Sequence, residues 1–124
     1  MKGSTAAHAA LVAAILAELG TLPGVVIGAN ASGRAKYVSE RGQLHVVPYG
    51  WLAPGGPDII AVVAPLGRAI CFEVKTGRAR LTREQRAVHE ALRAVGVEVH
   101  VVRSVEEART RLDEARRECA IGPA

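Results

Sequence analysis

Aromatic side chains are scarce in this chain, with one Phe, one Trp and two Tyr in 124 residues. Base stacking on an aromatic platform is therefore not the expected way for it to hold a nucleic acid. Cysteine is nearly absent as well: Cys71 and Cys119 have no spacing that suggests a zinc site or a disulfide scaffold, so a reduced, cytoplasmic setting is expected. The longest apolar stretch, AAHAALVAAILAEL, has fourteen residues, where about 20 are needed to cross a bilayer. It follows only Lys2 and has no convincing cleavage site, so neither a membrane partner nor a secretory signal is expected. Neither a GxGxxG loop nor a P-loop is present, which leaves a nucleotide-dependent small-molecule enzyme without support. Repeats and low-complexity tracts are missing too, and 124 residues fit a single domain spanning 1–124.

What the chain does have is arginine. Thirteen of its sixteen basic residues are Arg and the formal net charge is +4. Guanidinium groups suit phosphate contacts, although an arginine-rich genome would leave the same mark. The stretch that organises the rest is GGPDIIAVVAPLGRAICFEVK, Gly55 to Lys75. In AICFEVK, Ile70, Phe72 and Val74 alternate with Cys71, Glu73 and Lys75, the two-residue period of a strand, so Glu73 and Lys75 project to one side. IIAVVA reads as a second strand, and Pro65 and Gly67 in APLGR supply the turn of a β-hairpin.

With Pro65 and Leu66 at the centre of that turn, counting back evenly sets Asp58 opposite Glu73. Directly opposed residues have Cβ atoms roughly 4.5 to 5.5 Å apart. Two carboxylates at that distance repel unless a cation lies between them, and a divalent ion with hard oxygen ligands is the usual answer. A three-residue turn with a bulge would instead send the acids to opposite faces.

The remaining segments take the chain in order. Ser4 or Thr5 can cap a first helix running to Gly20, with Pro23 beyond it. That helix is apolar nearly all round, so a second face either meets another subunit, giving a homodimer, or is exposed and merely decorated with alanine. Val25 to Ala29 makes a short strand, and NASGRAKYVSERG, with Arg34 and Lys36, reads as a loop or irregular hairpin arm, either a phosphate-contacting flap or a solvated loop. Gln43 to Gly50 is a strand, after which Tyr49 and Trp51 read as packing anchors.

Gly55 and Gly56 allow a sharp turn that delivers Asp58. Thr82 with Gln85 forms a capping box, opening a helix whose apolar stripe is Val88, Ala91, Leu92 and Val95 and which stops at Gly96. Arg78, Arg80, Arg83 and Arg86 lie just past Lys75, where phosphates of a bound strand can run; the alternative is a solvated face with Arg86 paired to Glu90. Val97 to Arg103 is a strand, Ser104 caps a last helix that packs through Val105, Ala108 and Leu112, and IGPA is expected to fray. The resulting order, α-β-β-β-α-β-α, describes an α/β domain with a mixed sheet and flanking helices.

Pro57 and Asp58, fourteen residues, then Glu73, Val74 and Lys75 resemble the PD-(D/E)XK nuclease signature. The continuation TGRARLTREQ (Thr76 to Gln85), a helix, Gly96, a VxV strand and RSVEE (Arg103 to Glu107) is similar to the VRR-NUC branch of that superfamily, over about residues 5 to 108. The resemblance implies a restriction-endonuclease-like core and a DNA endonuclease, plausibly structure-specific for Holliday junctions or flaps, working as a homodimer with Mg²⁺ or Mn²⁺. It implies Asp58, Glu73 and the Val74 carbonyl as metal ligands, Lys75 beside the attacking water, and Gln85 near the catalytic centre. It also implies a Glu on the first helix, but the matching stretch, Ala6 to His8, carries no carboxylate. His8 stands there as a substitute ligand or a surface residue.

Overall fold

The computed structural model describes residues 2–121, with side chains from Thr5 to Glu118. Helix α1 covers Lys2–Leu19, strands β1 to β5 follow at Val25–Ala29, Gly33–Val38, Leu44–Tyr49, Ile59–Val63 and Arg68–Val74, then come helix α2 at Arg83–Ala94, strand β6 at Glu98–Val102 and helix α3 at Val105–Ile121. Five strands thus separate the first two helices, where the expected order counts three, although four segments are read as strands. The segment expected as a loop or irregular hairpin arm does form a hairpin arm, but GRAKYV within it is a regular strand. The expected fraying of IGPA falls largely on Gly122 to Ala124, outside the described residues.

The main sheet has the order β1-β4-β5-β6. Its first three strands are antiparallel, while β5 and β6 are parallel, so the sheet is mixed. A parallel pair needs a crossover, and α2 supplies it. Ile59, Ala61, Val63, Ile70, Phe72 and Val74 form one buried face, packed against Ile15 and Leu19 of α1 and Ala108, Leu112 and Ala115 of α3. On the opposite face Cys71 and Val99 meet Leu92 and Val88 of α2. Each large apolar side chain in these layers contributes about 1.5 to 3 kcal/mol by leaving water.

Alanine and leucine make α1 a ready helix, and Leu11, Val12, Ile15, Leu16 and Leu19 recur at the spacing of one face to meet the sheet. The helix starts at Lys2, so Ser4 and Thr5 lie within its first turn and do not precede it as caps. Its outward positions, including Ala6, Ala9, Ala10, Ala13 and Ala17, are exposed alanines. The capping box at Thr82 and Gln85 is present, and Gly96 ends the turn after α2 with φ +95°. The buried side of α2 is nevertheless rotated from the expected stripe: His89 and Leu92 are buried, whereas Ala91 and Val95 are exposed. Ser104 Oγ accepts from Glu107 N at 3.1 Å, which caps α3. Among the described residues no helix is long and apolar enough to cross a membrane.

Strands β2 and β3 form a separate two-stranded sheet, an arm outside the main one. Asn30 clamps its base: the Asn30 amide nitrogen donates to the carbonyls of Trp51 and Pro57, each at 2.9 Å, and its side-chain oxygen accepts from Trp51 N at 2.9 Å. The loop returning from the arm runs tight against α2 and against itself. A Cβ at Gly55 would come within 2.6 Å of the Glu84 carbonyl oxygen, and one at Gly56 within 2.1 Å of the Trp51 carbonyl oxygen. Both glycines are thus required by close approach, and Gly55 by its φ of +101° as well.

Candidate active site

The hairpin register decides whether a site exists. Ile59 pairs with Phe72 and Val63 with Arg68, the even register of a two-residue turn, and one further step sets Asp58 beside Glu73. Asp58 Oδ2 accepts the Val74 backbone N–H at 2.8 Å, while Asp58 O accepts from Asn30 N at 2.7 Å. The acid is thereby fixed where β4 and β5 begin to part. In a strand the N–H and C=O of one residue point to the same neighbour, so the Val74 carbonyl is turned toward Asp58 too.

Glu73 is only 1% exposed, yet fully partnered. Its Oε1 lies 3.0 Å from His89 Nε2, and its Oε2 accepts from Gln85 Nε2 at 3.2 Å. Burial, then a hydrogen bond to Asp58 and that residue's negative charge, push the Glu73 carboxyl up to about 9 against the opposing pull of Lys75. At neutral pH the Glu73 carboxyl is therefore held protonated where a cation would otherwise offset its charge. His89 is driven the other way, mainly by burial and then by Arg93 and Lys75, so it is held neutral. Its Nδ1 is buried without a partner. Placing the proton on Nε2, facing Glu73, leaves Nδ1 as a bare lone pair and avoids an orphaned N–H.

Gln85 joins the helix cap to the site. Its Oε1 accepts from Thr82 N at 2.9 Å and from Lys75 Nζ at 2.8 Å. Because both of those partners are donors, the facing atom must be oxygen, which turns the NH₂ group toward Glu73. Capping and site-building are thus one arrangement. Lys75 N donates to Val102 O at 3.0 Å, extending the β5–β6 pairing and holding the lysine on the Glu73 side.

An open cleft of about 230 Å³, lined by Thr5, His8, Lys75, Thr76 and Ala79, adjoins the acid pair. His8 Nε2 is 3.2 Å from Asp58 Oδ2, so the helix position without a carboxylate does bring a side chain to the site. A larger groove of about 450 Å³, by Pro23, Ala64 and Arg116, lies at the opposite end of the hairpin, away from the acids.

The donor set can be weighed against the ion that the sequence resemblance implies. Among the described residues no three His, Cys, Asp or Glu side chains converge as a metal cluster. Two adjacent carboxylates and a carbonyl nonetheless fit Mg²⁺ or Mn²⁺ of the kind that keeps several waters and takes one or two protein carboxylates. They do not fit an ion that needs a full protein cage.

The expected phosphate-binding residues fall on separate elements. Arg34 and Lys36 are on β2 in the arm, while Arg78 and Arg80 are in the loop after Lys75 and Arg83 and Arg86 are at the start of α2; all six are exposed. Arg86 donates to the Leu81 carbonyl at 3.1 Å, and no ion pair to Glu90 is found among the described residues. Arg103 pins the loop by donating to the Gly77 and Ala79 carbonyls at 3.0 and 2.7 Å. Glu18, at the far end of α1, lies 3.8 Å from Arg109.

Sequence reasoning missed His89 and Asn30 and left His8 undecided between ligand and surface. His89 carries a signal in hindsight, standing four residues after Gln85 and hence on the same helix face. Asn30 carries none. Tyr49 and Trp51, expected as packing anchors, are instead exposed, and His45 stacks on Tyr37 with ring centroids 4.8 Å apart.

Comparison with family models, curated proteins and solved structures finds no match for this chain. What stands is its fold class, a mixed α/β sheet flanked by helices.

Proposed function

We propose that this chain is a divalent-metal-dependent DNA endonuclease with a restriction-endonuclease-like core of the VRR-NUC type, cutting branched or flapped substrates. The observation that carries the reading is the even register of the β4–β5 hairpin, which brings Asp58 beside Glu73 with Lys75 held two residues on. A buried Glu73 carboxyl driven to keep its proton beside the part-exposed Asp58 makes a site that a cation relieves.

Asp58 and Glu73, with the Val74 carbonyl, would hold Mg²⁺ or Mn²⁺. When bound, such an ion polarises a phosphoryl oxygen and lowers the pKa of a water ligand. The chain's own residues do the rest. Lys75, oriented by Gln85, presents its ammonium to the attacking water or to the charge that develops on phosphorus. Glu73 is oriented by His89 and Gln85 from α2. Arg78 and Arg80, exposed on the loop braced by Arg103, would contact the sugar-phosphate strand. A homodimer would present two such sites to two strands.

A second reading is a nucleic-acid-binding or assembly protein that keeps the fold without catalysis. It is favoured by the missing carboxylate on α1, where His8 stands in its place. Purified protein incubated with branched, flapped and linear duplex DNA in Mg²⁺ and in Mn²⁺ separates the two. Cleavage that Lys75→Ala removes supports the nuclease. Binding to all substrates with cleavage of none decides for the binder.

A further inference from the structure

Three of the chain's four Phe, Trp and Tyr residues lie on the arm or at its base, outside the core. Tyr37 on β2 is 52% exposed, Tyr49 on β3 is 51% and Trp51 at the base of the arm is 42%, while the fourth, Phe72, is fully buried. A chain this poor in aromatics leaves solvent-facing all of those it does not need for its core.

The register shows how they are displayed. Gly33 pairs with Tyr49, Ala35 with Val47 and Tyr37 with His45, and directly opposed pairs two residues apart share one face of a ribbon. Along that face the Tyr37–His45 stack stands near one end and Tyr49 at the other, about 13 Å away at the usual strand rise. The Tyr49 ring lies against Gly33, where an added Cβ would fall 3.0 Å from its Cε1. Between the Tyr37–His45 stack and Tyr49, the same face carries the Ala35–Val47 pair, with Val47 itself 41% exposed. Arg34 and Lys36 project from the reverse face, beside Pro48 and Val46.

The arm's position is fixed as well. Asn30 ties its base through Trp51 and Pro57, and the same residue's N–H donates to Asp58 O, so the ribbon is rooted one residue from the proposed metal ligand.

From this geometry we infer that the β2–β3 arm binds unpaired nucleotides, stacking bases on the Tyr37 and Tyr49 face while Arg34 and Lys36 hold backbone phosphates of the adjoining duplex. The substrate class is then a nucleic acid with a single-stranded branch next to a duplex, which deepens the nuclease reading and rests on it for the role of Asp58. Aromatic faces accept any base, whereas the cations contribute charge without sequence. Charge also argues against a second copy of this chain as the occupant. The arm carries Arg34, Lys36 and Arg41 against one acid, Glu40, so two arms would repel where a polyanion is attracted.

The test is binding measured in EDTA, so that cleavage plays no part. Fluorescence anisotropy would compare an oligothymidylate, a forked duplex and a blunt duplex for the unaltered chain and for Tyr37→Ala, Tyr49→Ala and Tyr37→Phe. Each alanine variant should weaken oligothymidylate and fork binding roughly tenfold. It should leave the blunt duplex within about twofold, and Tyr37→Phe should restore the loss. Trp51, the lone tryptophan, gives an independent readout: its fluorescence should be quenched as oligothymidylate is added to the unaltered chain. A blunt duplex that binds as tightly as the fork, or alanine variants that bind single strands unchanged, would overturn the inference. So would tyrosine variants that dissociate a dimer in sedimentation while nucleotide binding stays intact. Absence of cleavage on every substrate defeats the nuclease reading and leaves this binding result standing, so the two failures are told apart.

Discussion

The main sheet and the arm are built from similar residues and treat them in opposite ways. In β4 and β5 the alternating apolar side chains are buried against α1 and α3, and the register is enforced because a slip by one residue would expose Ile59, Phe72 and Val74. In β2 and β3 nearly every side chain is exposed, including Val38, Leu44 and Val46. An isolated two-stranded ribbon is marginal in water, and this one is steadied by Asn30 at its base and by the cross-strand stack of Tyr37 on His45. Apolar surface in the body holds the fold, whereas in the arm it is available to a partner. The acid pair and the exposed apolar surface of the arm are thereby separated, and Asn30 links them through its hydrogen bonds to Trp51, Pro57 and Asp58.

Substitutions can break or sharpen that contrast. The largest effect is expected at Lys75. Lys75→Ala should lower single-turnover cleavage by about 10²- to 10³-fold, the cost of removing one preorganised charge from a reacting centre, with binding in EDTA kept. Arg34→Ala combined with Lys36→Ala should do the reverse, weakening binding and flattening its salt dependence by roughly two phosphate contacts while the bound rate stays constant.

In the body, Phe72→Ala should cost about 3 to 5 kcal/mol in denaturant unfolding, since the ring is enclosed by α1 and α3. Tyr37→Ala in the arm should cost within about 0.5 kcal/mol. Equal losses at the two positions would show that the arm is part of the folding core.

Stability should also follow pH through Glu73. Its carboxyl is raised from 4.5 to about 9 in the fold, so the native state keeps a proton that the unfolded chain has lost. That contribution is complete below pH 4.5 and fades as pH rises toward 9. His89, lowered from 6.5, acts in the opposite sense: its contribution is present above 6.5 and is lost as pH falls through its depressed folded value. Of the two, Glu73 alone acts between 6.5 and 9, and melting temperatures in EDTA should fall across that range. Glu73→Gln should flatten the slope, and Mn²⁺ should oppose it in the unaltered chain by displacing the proton. A smaller effect is expected at Thr82, where Thr82→Ala removes the cap of α2 for about 1 kcal/mol and loosens Gln85 from Lys75.

Much of this was open to a reader of the letters. Period-two alternation in AICFEVK, Pro65 and Gly67 at the turn, and the Thr82 to Gln85 spacing each depend on neighbours within a few residues, and each is seen in the fold. The acid pair followed because an even turn carries alternation across a hairpin. His89, His8 and Asn30 lay beyond that reach. They come to the site from α2, α1 and the end of β1, and only packing of those elements on the sheet decides which of their residues face Asp58 and Glu73.

The arm is the sharper lesson. Composition counted few aromatics, but a count has no positions in it and does not say that Tyr37, Tyr49 and Trp51 stand in water while Phe72 is buried. Local order along the chain therefore dictated the strands, the turn and the acid pair, through steric and hydrogen-bonding preferences that operate over short distances. Which apolar residues are left in water, and which distant histidines meet a carboxylate, was settled when the helices covered one part of the chain and left the ribbon uncovered.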